Sequence, residues 1–157
     1  MTKRSAGILM YRRSPELEVL LAHPGGPFWA KKDEGSWSIP KGEYDEAEEP
    51  LACAIREFEE ELGARPHGDF IELGEIVQPS RKIVVAFAVE GTFDPPALRS
   101  NRFELEWPPK SGRMQSFPEI DRVEWFAPDW AKVKILLGQQ GFIDRLLAAL
   151  HKPSSER

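Results

Sequence analysis

The chain has a single cysteine, Cys53, and only three histidines. One thiol excludes an internal disulfide and fits a reducing compartment. No apolar run is long enough to cross a bilayer. The N-terminal stretch "MTKRSAGILMYRR" lacks the small-residue cleavage pattern of a signal peptide and reads as a first strand. Internal repeats and low-complexity tracts are absent. These gaps lead to the expectation of a cytoplasmic protein with no membrane partner. A broad basic surface is missing too, which argues against a nucleic-acid partner.

What is present is unevenly spread. Residues 42–64 hold nine acids and one base, a local balance of −8 in a chain whose net charge is −5, leaving +3 elsewhere. At 157 residues and 41% hydrophobic, the chain has the size and apolar content of one ordinary domain. Residues 1–152 are expected to form that domain, with 153–157 a disordered tail.

The apolar pattern predicts a strand pair in "SAGILMYR" and "LEVLLAHP", then a glycine- and proline-marked loop in "GGPFWAKKDEG". "SWSIPKGE" reads as a short strand ending in a Pro-Lys-Gly turn, and residues 50–62 read as a helix. "FIELGEIVQ", "KIVVAFAVEG" and "RVEWFA" read as strands, residues 92–119 as a long irregular segment, and the remainder as helix broken near Gly138. Helices mixed with mostly antiparallel strand pairs predict an α+β sandwich.

Within the helix, Pro50 suits the first turn and Gly63 supplies the stop. Leu51, Ile55, Phe58 and Leu62 recur at the spacing of one buried stripe. Glu57, Glu60 and Glu61 fall opposite it, within an arc of about 100°. Glu59 falls between the two faces and is expected to be solvated. Carboxylates about 5 Å apart repel by roughly 3 kcal/mol at an effective dielectric near 20. A divalent cation reverses that sign, and an all-oxygen donor set selects hard ions. Taken alone, the glutamates favour a solvated acidic face, because charge runs are usually surface.

They do not stand alone. From Gly42 the chain runs through five residues to Glu48, then seven more to Arg56-Glu57-Phe58-Glu59-Glu60-Glu61-Leu62-Gly63-Ala64. This resembles the Nudix box, G-x5-E-x7-R-E-U-x-E-E-x-G-U, at every polar and glycine position. Phe58 and Ala64 depart from the bulky aliphatic residues expected at U, and both are packing positions. The resemblance implies a Nudix-type α/β/α sandwich with a mixed sheet and a loop-helix-loop metal site. It also implies Mg²⁺-dependent hydrolysis, with Mn²⁺ as the alternative ion, of a diphosphate linkage between a nucleoside diphosphate and another moiety. Glu57, Glu60 and Glu61 would then hold the metal, with a backbone carbonyl at Lys41 or Gly42. Arg56 would fix the carboxylates, and Glu48 would support them from behind. Many such domains form homodimers, although no segment here declares an interface.

The base varies within the family. A box glutamate such as Glu60 is one candidate, and the loop candidate is Glu119, ahead of Asp121, Glu104 and Glu106. For substrate, the Pro-Lys-Gly form resembles the subset acting on dinucleoside polyphosphates or diphosphoinositol polyphosphates, with Lys41 on a phosphate. The tyrosine that often stacks a base in dinucleoside polyphosphate hydrolases has no counterpart downstream of the box, because the two tyrosines are Tyr11 and Tyr44. Pro79 resembles a marker of ADP-ribose pyrophosphatases but also suits a strand end. Arg81 and Lys82 beside it are candidate phosphate ligands. Phe28, Trp29, Trp37, Phe103, Trp107 and Phe117 can stack on a base, though more of them are expected in the core. Cys53 reads as packing, and the histidines carry no functional reading. The substrate order is dinucleoside polyphosphate, then ADP-ribose or a nucleotide sugar, then a modified nucleoside triphosphate. The alternative from another class is a catalytically silent nucleotide-sensing module.

Overall fold

The computed structural model describes residues 3–13 and 15–151. The tail expected over 153–157 lies outside the described residues. In chain order the elements are β1 (Arg4–Arg13), β2 (Leu17–Pro24), β3 (Lys41–Tyr44), α1 (Pro50–Leu62), β4 (Ile71–Val77), β5 (Ile83–Glu90), β6 (Arg102–Glu106), β7 (Met114–Pro118), β8 (Ile120–Phe126), α2 (Pro128–Lys134) and α3 (Gln140–Leu150). No helix among the described residues is long and apolar enough to cross a membrane.

Six strands make a mixed sheet in the order β4-β5-β1-β2-β8, with β3 on the first half of β1. β1 runs parallel to β5, from Arg4 opposite Ile83 to Tyr11 opposite Glu90. The other ladders are antiparallel. Along β1, Ala6, Ile8 and Met10 join the core under α1, while Leu9 and Tyr11 join the core under α2 and α3. A strand covered on both faces is apolar at every position, which explains the unbroken run in "AGILMY". The result is an α/β/α sandwich of α+β class.

α1 has the predicted bounds. Gly63 takes the left-handed conformation at φ 91°, and its N–H donates to the Glu59 carbonyl at 2.8 Å. The buried face differs from the predicted stripe. Cys53, Ala54, Phe58 and Leu62 are sealed, while Leu51 and Ile55 sit half-buried at the rim. The helix packs on β1 and β3 together, which rotates its contact face toward Cys53.

Two strand expectations are corrected. The strand placed in "SWSIPKGE" begins only after the proline, at Lys41. Ser38 makes one isolated bridge to Ala22, and Pro40 has no N–H to continue a ladder. The segment 92–119, read as irregular, contains the β6–β7 hairpin, paired from Arg102↔Pro118 to Glu106↔Met114. The hairpin strands are short and at most half-buried, so their apolar signal is weak. The C-terminal break falls where expected, with Gly138 in a 3₁₀ turn between α2 and α3.

Candidate active site

β3 and α1 build one wall of the site. Arg56 lies across three carboxylates. Its Nε and Nη2 donate to Glu48 at 3.0 Å each, and its Nη1 donates to Glu57 at 2.9 Å and Glu60 at 3.1 Å. The guanidinium pKa rises as a result, chiefly through Glu48 and Glu60. The three glutamates do not fan outward together as the helical wheel predicts. Glu60 is about half-exposed, Glu57 is mostly covered and Glu61 is buried. β3 closes against the Glu57 carboxylate at Gly42, a contact that a wheel cannot represent. Glu59 is exposed and lies 3.8 Å from Arg65.

Glu61 is electrostatically the most unusual of the group. Burial, then Glu57 and Glu119, push its carboxyl up to about 9, against a partial offset from Lys41. Glu57 is also raised, by burial and then by Glu60, with Arg56 opposing. Glu119, from the turn between β7 and β8, is therefore close to Glu61 although far from it in sequence. Asp121 instead faces His23. Glu104 and Glu106 lie on β6 of the separate hairpin.

Gly42 has a steric role. A Cβ built there would overlap the Glu57 carboxylate. The Gly42 carbonyl accepts the Cys53 thiol at 3.4 Å. That thiol is sealed and pushed up to about 11 by burial, in keeping with packing. Lys41 points toward Glu61 and Glu57, and its ammonium pKa is lowered first by burial and then by Lys82. Lys82 lies 3.9 Å from Glu43. Arg81 is exposed in the β4–β5 turn at φ 73°, with no ion pair among the described residues.

A cavity of about 210 Å³ opens beside these groups. Lys41 and Glu61 line it together with Trp29, Ile39, Ile120 and Leu136. Trp29 and Ile120 had no specific signal in the sequence beyond aromaticity and apolarity. Of the other aromatics, Trp37 is core, Phe103 and Phe117 pair within the hairpin, and Phe28 meets Trp107 edge-on at 5.3 Å. None of these lines the cavity.

Among the described residues, no group of three His, Cys, Asp or Glu side chains converges tightly enough to form a ready-made metal cage. The donor set nevertheless fits a hard divalent cation. It is all oxygen, and negative charge is in excess around Glu61.

Comparison with known proteins bears on the family and the fold. Residues 1–146 match the NUDIX domain family. A stretch of 27 residues is 70% identical to the mRNA-decapping protein g5R of African swine fever virus (isolate Pig/Kenya/KEN-50/1950), covering 17% of this chain and 11% of that one. Among solved structures, a C. elegans Ap4A hydrolase binary complex superposes with a TM-score of 0.65 at 18% identity, covering 93% of this chain and 97% of the other. The NUDIX domain of Shewanella oneidensis NrtR complexed with ADP ribose gives 0.64 at 16% identity, covering 96% and 89%. At these identities the structural likeness is one of fold.

Proposed function

The chain belongs to the NUDIX family of pyrophosphohydrolases, and from that premise we propose that it hydrolyses a dinucleoside polyphosphate in a Mg²⁺-dependent reaction. The observation that carries the reading is that Lys41 and the buried Glu61 line one cavity, with the charges of Glu57 and Glu119 acting on Glu61. The cavity is smaller than the ~300–1,000 Å³ usual for a whole small-molecule site. It suits one nucleoside, with the second moiety outside. Lys82 stands beside Lys41, so cationic charge continues past the carboxylates. That favours a chain of several phosphates over ADP-ribose, whose linkage has only two.

Glu57, Glu60 and Glu61, with the Gly42 carbonyl, would hold the ion, and Mn²⁺ would serve in the same donors. When bound, the ion neutralises charge on the phosphates and makes a water more acidic. The remaining work falls to the chain. Arg56 and Glu48 keep the carboxylates oriented. Lys41 and Lys82 hold phosphate oxygens, and the exposed Arg81 meets the distal end of the chain. Trp29 and Ile120 sandwich the base and exclude water from the cavity. Glu119 holds the attacking water and accepts its proton.

The test is a product profile with Mg²⁺ and three substrates: diadenosine tetraphosphate, ADP-ribose and a nucleoside triphosphate panel. The expected result is ATP plus AMP from the first, with Glu60→Gln nearly inactive. Turnover of ADP-ribose alone would replace the substrate assignment and favour the nucleotide-sugar reading. No turnover of any diphosphate would favour a sensing module.

A further inference from the structure

The segment "HPGGPFWAKK", residues 23–32, is absorbed by neither the box nor the metal donors. Its first residue, His23, is 1% exposed. Its two ring nitrogens reach two different parts of the chain. Nδ1 is 2.8 Å from the Asp121 carboxylate, and Nε2 is 2.6 Å from the Lys32 carbonyl. The ring packs edge-on against Trp37 at 5.1 Å. One buried imidazole thus ties the end of this loop to the start of β8.

The two glycines that follow complete the seat. The Gly25 N–H donates to the Glu119 carbonyl at 2.9 Å. A Cβ at Gly25 would overlap the Pro118 carbonyl, and one at Gly26 (φ 95°) would come within 2.9 Å of the Phe103 ring. Neither position has room for a side chain. From the other side, the Glu119 N–H donates to the Asn101 carbonyl at 2.8 Å, and the Ile120 N–H donates to the Ser100 hydroxyl at 2.9 Å. Glu119 is therefore gripped by its backbone on both sides, at the foot of the hairpin. The same loop carries Trp29, a wall of the cavity, whose carbonyl accepts the Lys32 N–H at 2.9 Å.

We propose that His23 is a positioning residue for the hydrolytic reaction. By bridging Asp121 and Lys32 it clamps the glycine seat onto the Glu119 turn. It thereby sets both the Glu119 carboxylate against the metal donors and Trp29 against the base. The proposal rests on the assignment of Glu119 as the base. It does not depend on which nucleotide is the substrate.

The test uses His23→Phe, which keeps a ring against Trp37, and Asp121→Ala, which leaves the buried ring in place. Displacement of a catalytic group by about 1 Å costs on the order of 10²-fold, so kcat should fall by that order in both variants. Mn²⁺ affinity, measured separately, should change little, whereas KM should rise because Trp29 shifts with the loop. Asp121→Asn keeps an oxygen for Nδ1 but loses the carboxylate charge facing the ring, so its kcat should fall less than that of Asp121→Ala. In a Glu119→Gln background, His23→Phe should add almost nothing, because the two act on one group. Amide hydrogen exchange gives a readout independent of activity: Gly25 and Glu119 should exchange faster in His23→Phe, while β1 and β5 keep their rates. If exchange rises throughout the sheet, His23 is fold support and the proposal fails. Unchanged kcat, or an additive loss with Glu119→Gln, would also overturn it. Full activity of Glu119→Gln would remove the base assignment and the positioning role with it, and freed Gly25 and Glu119 amides would then mark a purely structural clamp.

Discussion

Replacing Gly42 with alanine separates the chemistry of this site from its fold. A Cβ at this position would fall inside the Glu57 carboxylate. Optimal contact between such atoms is about 3.5–4.0 Å, so the carboxylate must retreat by on the order of 1 Å. Gly42 is not in the left-handed conformation, so alanine adds no backbone strain. The group that must yield is the tip of a flexible side chain already held by Arg56 at 2.9 Å. Stability should therefore change little. A shift of about 1 Å in a metal-holding carboxylate corresponds to about a 10²-fold loss of turnover, or roughly 2.7 kcal/mol in the barrier. The assays are a melting curve and kcat at saturating Mg²⁺ on whichever diphosphate the enzyme turns over. Melting within a few degrees of the parent, with kcat down about a hundredfold, is the expected pair of results. A Gly42→Ala protein with full kcat would refute the placement of Glu57 as a metal-holding group. One that fails to fold would show that β3, not the carboxylate, takes the strain.

Other expectations follow from single observations. Glu61 has a folded-state pKa of about 9 without metal, far above that of an unfolded glutamate. The native state therefore binds the extra proton, and metal-free stability should fall as pH rises from about 5 to 9, by at most about 1.4 kcal/mol per pH unit. Melting in EDTA across that range should show the slope, Glu61→Gln should flatten it, and equal slopes in both proteins would contradict the burial of that carboxyl. Phe58→Ala removes a ring that is 1% exposed and should cost about 3–5 kcal/mol in denaturant unfolding. Glu119→Gln should lower kcat by about 10²–10⁴-fold with metal affinity kept, whereas full turnover at saturating metal would exclude it as the base.

The sequence is most informative where structure is local. The bounds of α1 follow from Pro50, the apolar spacing and Gly63, and the roles proposed for the glutamates rest on the box spacing. The burial of Glu61 is not legible there, because β3 closes on α1 from outside the helix, at Gly42 against Glu57. A helical wheel assumes one buried face, and α1 has a second that forms only when that strand closes against it. The β6–β7 hairpin was hidden for a different reason: its strands are five residues each, only half-bury Phe103, Leu105 and Phe117, and sit among prolines, glycine and charges that read as loop. His23 had no sequence signal, because its carboxylate partner lies 98 residues away. The cavity wall at Trp29 depends on the same distant tie.

The parallel pairing of β1 with β5 has a consequence for how the chain is made. β1 is buried on both faces, yet its parallel partner starts at Ile83. At about 5–20 residues per second, the ribosome exposes β1 for roughly 4–16 s before that partner has emerged. During this interval an apolar strand with an open edge is available to neighbouring nascent chains. Yield in rapid expression should therefore be limited by chaperone supply rather than by the stability of the finished sheet. Added chaperone, or fewer chains in synthesis at once, should raise the soluble fraction without any change in sequence.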